Sequence, residues 1–202
     1  MATVKEIPAK LVAELRARTG AGIMDCKKAL EEAGGDIEKA VDLLRKKGAA
    51  QADKRAGREA AQGLIVSYVH HNGRVGVLVE LNCETDFVAN TDEFKQLAKD
   101  LTHQIASTAP IAVRREDIPA DVIAKEREIY RAQVAEEKKP DHIKEKIVEG
   151  RLNSFYEERA LLEQKFVRDG SKTIGDMVKE IAAKTGENVQ VRRFVRFQLG
   201  GA

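Results

Sequence analysis

Four histidines and two cysteines are the side chains through which this sequence could do acid–base, nucleophilic or metal chemistry. His70 and His71 stand beside Asn72-Gly73, where a turn favours polar residues, and His142 opens a charged stretch. His103 falls on the opposite side of a helical pattern from Phe94, away from its apolar stripe. None has a carboxylate or cysteine partner at a spacing that acid–base catalysis or zinc ligation would need. Cys83 precedes Glu84, and His70 can approach it across a hairpin, yet a reactive thiol needs an electropositive setting. Its neighbours are acidic and strand parity puts it on an apolar face, so it reads as a packed thiol. Cys26 lies far from it with no CxxC spacing, and the pair suits a reducing compartment. TGAG at 19–22 sits between helices and lacks the GxxxxGK[ST] spacing that cradles phosphate. The expectation is a protein without catalytic residues, metal or cofactor.

Residues suited to binding are more numerous. With 35 basic and 33 acidic residues the net charge is only +2, so no global field calls for nucleic acid or an anionic membrane, and binding must come from local patches. Near the C-terminus Arg192, Arg193 and Arg196 interleave with Phe194 and Phe197, an aromatic-plus-basic pattern shared with RNA-binding strands. Strand parity, however, places Phe197 inward with Val189, Val191 and Val195. Arg45, Lys46, Lys47, Lys54, Arg55 and Arg58 form a second basic cluster, which also suits a solvated helix face. Met24 falls off the stripe formed by Ile23, Cys26, Leu30 and Ala33, and sits among Lys27, Lys28 and Glu31 as an adaptable contact would. Phe87, in NCETDFVANTDEF, is a lone aromatic on a polar junction after a strand. It is either tucked into the core or an anchor for another molecule.

The elements that carry these residues define an α+β protein. Pro8 opens a helix with Leu11, Val12 and Leu15 on one face, closed by Thr19-Gly20. A second helix runs from Ile23 to Ala33, and Asp36 caps a third that carries Ile37, Ala40, Val41 and Leu44 and stops at Gly48. Residues 1–50 thus form a three-helix domain, and 51–62 a solvated helical connector. Residues 63–202 form a core domain. It starts with a hairpin about Asn72-Gly73, whose second strand sends Val75, Val77, Val79, Leu81 and Cys83 to one face. Asn90 with Glu93 makes a capping box for a helix carrying Phe94, Leu97, Ala98, Leu101 and Ile105. A charged helical hairpin at about 119–157 breaks at Lys139-Pro140. Thr173 with Asp176 opens a last helix, stopped at Gly186, and a final strand follows. The start, MATVKEIPAK, has no apolar h-region and no run is long enough to span a bilayer, so a cytoplasmic protein is expected.

TGAGIMDCKKALEEAGGDIEKAVDLLRKKG, VLVELNCETDFVA and KTGENVQVRRFVRF closely resemble bacterial translation elongation factor Ts, over essentially the whole chain. The resemblance implies a guanine-nucleotide exchange factor that binds the GTPase elongation factor Tu and speeds GDP release. It implies that the N-terminal bundle is ubiquitin-associated-like and grips the GTPase through Ile23, Met24 and Lys27, with Arg55 as a basic contact on the connector. It also implies that Thr85, Asp86, Phe87 and Val88 intrude near the magnesium site of the GTPase, with Phe87 as a wedge and Asp86 setting the loop. The likeness is to the short members, which carry one copy of the core subdomain and pair as homodimers. No nucleic acid or membrane partner is implied. Two positions depart from the family pattern: Gln104 follows His103 where members often have His or Gln before Ile-Ala, and Lys165 stands in QKFV where Pro is common.

Overall fold

A computed structural model describes residues 7–201. The first three helices are α1 (Ala9–Thr19), α2 (Ile23–Glu32) and α3 (Ile37–Arg55). Gly20 takes a left-handed conformation after α1 and returns its N–H to Arg16 O, and the Asp36 carboxylate accepts the Lys39 N–H at the start of α3. The three pack around Val12, Leu15, Cys26, Ala29, Leu30 and Ala40, a small core with few large side chains.

The third helix does not stop at Gly48. It runs on to Arg55, because Gly48 serves a close approach rather than a terminus: a Cβ there would lie 3.0 Å from that of Ala183 on α8 (Ile174–Thr185). Residues 51–62 are largely exposed, as expected of a connector, but they are helical only as far as Arg55, and Ala52 is buried in the main core. Ion pairs Arg45–Glu180 and Lys179–Asp53 flank the contact between α3 and α8, beside a cleft of about 510 Å³.

The core domain is built on a three-stranded antiparallel sheet in the order β1-β2-β5, with β1 Gln62–Val69, β2 Val75–Cys83 and β5 Gln190–Gln198. The β1–β2 turn uses Gly73 at positive φ, and Val77, Val79, Leu81 and Cys83 are buried on one face as period-2 alternation requires. Against that face lies α5 (Asp92–Thr108), burying Phe94, Leu97, Ala98, Leu101 and Ile105, and α8 adds Ile174, Val178 and Ala182 to the same core. The cap of α5 is Thr91, whose hydroxyl accepts the Phe94 N–H, not Asn90. Asn90 instead closes a one-turn helix, α4 (Asp86–Ala89), by donating its side-chain amide to Asp86 O.

The charged hairpin consists of α6 (Ala120–Ala135) and α7 (Asp141–Arg159). Val134, Val148 and Leu152 form its narrow seam, and Arg127 and Arg131 reach Glu149 and Glu145 across it. After it comes a short ribbon absent from the sequence reading, β3 (Lys165–Phe166) with β4 (Asp169–Thr173). Buried Gln104 anchors it, donating to Lys165 O at 3.1 Å and accepting the Val167 N–H at 2.9 Å. That contact defines the backbone at Lys165 without a proline.

Candidate partner-binding site

The TDFV segment makes a single helical turn that splits its residues between two sides. Successive positions rotate by about 100°, and Val88 and Ala89 go inward to the main core. Asp86 and Phe87, each two positions earlier, must then face out. Phe87 is 83% exposed, while Phe94, a few residues on, is fully buried. Burying a phenylalanine ring stabilises a fold by about 1.5–3 kcal/mol relative to leaving it in water. The outward ring is thus held by its backbone, not by packing.

That backbone is held from the far end of the chain. Thr85 caps the turn, its hydroxyl oxygen accepting the Val88 N–H at 3.4 Å. The Glu187 carboxylate, in the turn between α8 and β5, accepts the Glu84 N–H at 3.1 Å, the Thr85 N–H at 3.0 Å and the Thr85 hydroxyl at 2.6 Å. The Cys83 thiol donates to Thr85 O at 3.1 Å. Burial, followed by the nearby Glu187 charge, pushes the Cys83 thiol above its ordinary value, the reverse of what a nucleophile needs. Asp86 is exposed and contributes its carbonyl to Asn90, so the polar contacts that set the loop come from Thr85 and Glu187.

On the bundle, Met24 is 62% exposed, and Ile23 and Lys27 are exposed beside it on the first turns of α2. Ile23 is therefore not part of the inward stripe, which consists of Cys26, Ala29 and Leu30. The helix begins at Ile23, and its first turn overhangs the bundle. Arg55, the last residue of α3, is half-buried, and its Nη1 is buried without a hydrogen-bond partner among the described residues.

The aromatic-plus-basic strand is arranged differently from its parity. Leu81 pairs with Val191 and Glu80 with Arg193, so Arg192 is an extra, bulged residue. Beyond the bulge the alternation inverts. Phe194 turns to the core, while Val195 and Phe197 turn outward, Phe197 being 67% exposed. Arg193 pairs with Glu80 at 2.7 Å, and Arg196 donates to Ala106 O, so neither stands beside Phe197 as a stacking platform would require.

The histidines divide. His142 and His71 are exposed. The Tyr68 hydroxyl and His70 Nδ1 lie 2.8 Å apart, and Tyr68 meets the His103 ring edge-on at 4.6 Å. Arg168 lies against His103 Nδ1 at 2.9 Å and Asp100 at 3.0 Å. Burial and then the Arg168 charge hold His103 below the usual histidine value. Among the described residues no group of three or more His, Cys, Asp or Glu could hold a metal ion, and no helix is long and apolar enough to cross a membrane.

The sequence model of the family described as "Elongation factor TS" matches residues 21–201. The chain belongs to the elongation factor Ts family. It is 60% identical over 195 residues to elongation factor Ts of Fervidobacterium nodosum, covering 96% of this chain and 99% of that one. Elongation factor Ts of Thermotoga maritima is likewise 60% identical over 195 residues, with 96% and 97% covered. That of Desulforamulus reducens is 59% identical over 195 residues, with 96% and 90% covered. The elongation factor Ts family acts in translation elongation, a step of protein biosynthesis. Sequence reading missed Glu187 and Asn188, because the hydrogen bonds that tie them to Glu84 and Thr85 span more than a hundred residues of chain. The only local signal was Gly186, whose left-handed conformation ends α8 and turns Glu187 back toward the TDFV segment.

Proposed function

We propose that this chain is the guanine-nucleotide exchange factor of elongation factor Tu, not an enzyme, and that it accelerates GDP release by inserting Phe87 near the magnesium site of the GTPase. The observation that carries this reading is the ring of Phe87, exposed at the tip of a turn whose backbone is clamped. Such a side chain presents a rigid anchor at low entropic cost. A GTPase holding GDP with nanomolar affinity has about 12 kcal/mol of binding free energy, part of it from magnesium. The factor must bind the nucleotide-free GTPase more tightly than the GDP form, and by linkage GDP weakens the factor by the same ratio. Ile23, Met24 and Lys27 on α2 and the basic Arg55 at the end of α3 supply the affinity, and the Thr85–Val88 turn supplies the distortion. Val88 anchors the turn to the core rather than touching the partner.

The same reading has two chains act as a cytoplasmic homodimer, without nucleic acid or membrane. What supports pairing is the outer face of the sheet, where Ile65, Val69, Leu78, Val195, Phe197 and Leu199 are all exposed. A contiguous apolar face of this kind is characteristic of a protein–protein contact.

Stopped-flow release of a fluorescent GDP analogue from elongation factor Tu tests the exchange reading. The wild-type chain is expected to accelerate release strongly, and Phe87→Ala to accelerate it far less at saturation. Equal saturated rates for the two would overturn the wedge.

A further inference from the structure

We infer that Glu187 and Asn188 are positioning residues for Phe87, forming one clamp that fixes the turn bearing it relative to the end of α3. This rests on the exchange reading and adds to it the source of the wedge's rigidity.

A four-residue helix has no stability of its own, since one turn fixes several dihedrals for a single internal hydrogen bond. A ring mounted on it can push on another protein only if the turn is held from outside. Both Glu187 carboxylate oxygens are engaged in doing so, one by the Glu84 and Thr85 amides and the other by the Thr85 hydroxyl. The held residue, Thr85, in turn caps Val88. The restraint therefore passes from Glu187 through Thr85 into the backbone of α4.

Asn188 extends the clamp to the N-terminal arm. Its N–H donates to Glu84 Oε1 at 2.6 Å, and its buried side-chain amide donates to Ala56 O at 3.3 Å and Arg58 O at 2.7 Å. Arg58 adds a 3.5 Å ion pair to Glu84. One two-residue turn thus holds both the wedge and the segment that follows Arg55 and carries the bundle. The apolar core beneath, which includes Val79 and Leu101, is built by side-chain packing.

What matters at Glu187 is reach and accepting geometry. Glu187→Gln keeps a carbonyl for the two amides and an NH2 that donates to the Thr85 oxygen. Glu187→Asp keeps the charge but falls a methylene short, and Glu187→Ala removes the clamp. The experiment measures GDP release from elongation factor Tu across factor concentration, together with amide hydrogen exchange of the free factor. Glu187→Ala and Glu187→Asp are expected to speed exchange at the Glu84 and Thr85 amides by about tenfold, the factor carried by a charge-assisted hydrogen bond of ordinary strength. The amides of β2 and α5 stay protected. Both variants lower the saturated release rate more than they raise the half-saturating concentration, and Glu187→Gln stays close to wild type in both readouts.

Unchanged protection at Glu84 and Thr85 in the alanine and aspartate variants would overturn the clamp. So would a loosened turn with a wild-type saturated rate, or an aspartate variant more active than the glutamine one, which would make charge the requirement. If Glu187→Ala loses protection throughout, the ranking of the Gln and Asp variants decides alone. A wild-type chain that leaves GDP release unchanged overturns the exchange reading and the clamp's part in it, while amide exchange still reports separately whether the clamp holds the turn.

Discussion

Phe87 and Phe94 are the same residue type seven positions apart, with opposite fates, and the difference fixes what each substitution does. Phe94→Ala empties a fully buried site and is expected to cost about 3–5 kcal/mol of stability in urea denaturation. Phe87→Ala removes an exposed ring and is expected to change stability by no more than about 0.5 kcal/mol. Its effect is expected instead with elongation factor Tu, as a loss of roughly 2 kcal/mol or more in the saturated exchange step. Met24→Ala is expected to raise the half-saturating concentration and leave the plateau in place. At His103 the folded value is depressed, first by burial and then by Arg168, with Asp100 opposing and Lys99 adding to the effect. The unfolded chain therefore takes up the proton first as pH falls. The contribution of neutral His103 to stability is whole above about pH 6.5 and is lost as pH drops through the lower folded value. His103→Gln, which keeps an acceptor for Arg168, is expected to flatten that part of the Tm-against-pH curve.

At the scale of elements, the crossing of α3 and α8 depends on Gly48 having no side chain. Gly48→Leu offers better helix propensity but drives its side chain into Ala183, and overpacking of that kind costs about 1–3 kcal/mol. Thermal denaturation is expected to show a net loss, and a gain would mean that the two helices slide apart freely. The bulge at Arg192 has a comparable role in the sheet. A single extra residue turns Phe194 inward and frees Val195 and Phe197 for the outer face. Without it the strand would bury Phe197, and the apolar outer surface would lose its largest side chain.

For the whole molecule, that outer surface carries the proposed pairing. Val69→Lys combined with Phe197→Lys is expected to convert a two-chain species to a single chain in sedimentation velocity, because two lysines per protomer would then have to be desolvated against their counterparts. The inner core does not include either residue, so the far-ultraviolet spectrum should be unaltered. A species of unchanged mass would place the pairing surface elsewhere. The α6–α7 hairpin stands on its own small seam, and its Arg–Glu pairs are exposed. Pairs of this kind contribute little stability each, so the hairpin is expected to lose amide protection before the sheet does.

Local rules in the sequence determined most of the elements. Gly20, Asp36, Asn72-Gly73, the Thr173–Asp176 box and Gly186 each act within a few residues, and each ends or starts the element that its chemistry favours. The stripes of α5 and β2 were legible for the same reason, since one period and one buried face define them. The resemblance in TGAGIMDC and TDFV points to the family from the sequence alone. Tertiary structure decided what depends on residues distant in sequence. Gly48 is a contact because α8 lies against it, Phe197 faces out because Arg192 is squeezed from the β2–β5 ladder, and the turn that carries Phe87 is tied at Thr85 to Glu187, which reaches back across the fold. Periodicity carries no record of such partners, whose hydrogen bonds and close approaches exist only once the chain has closed on itself.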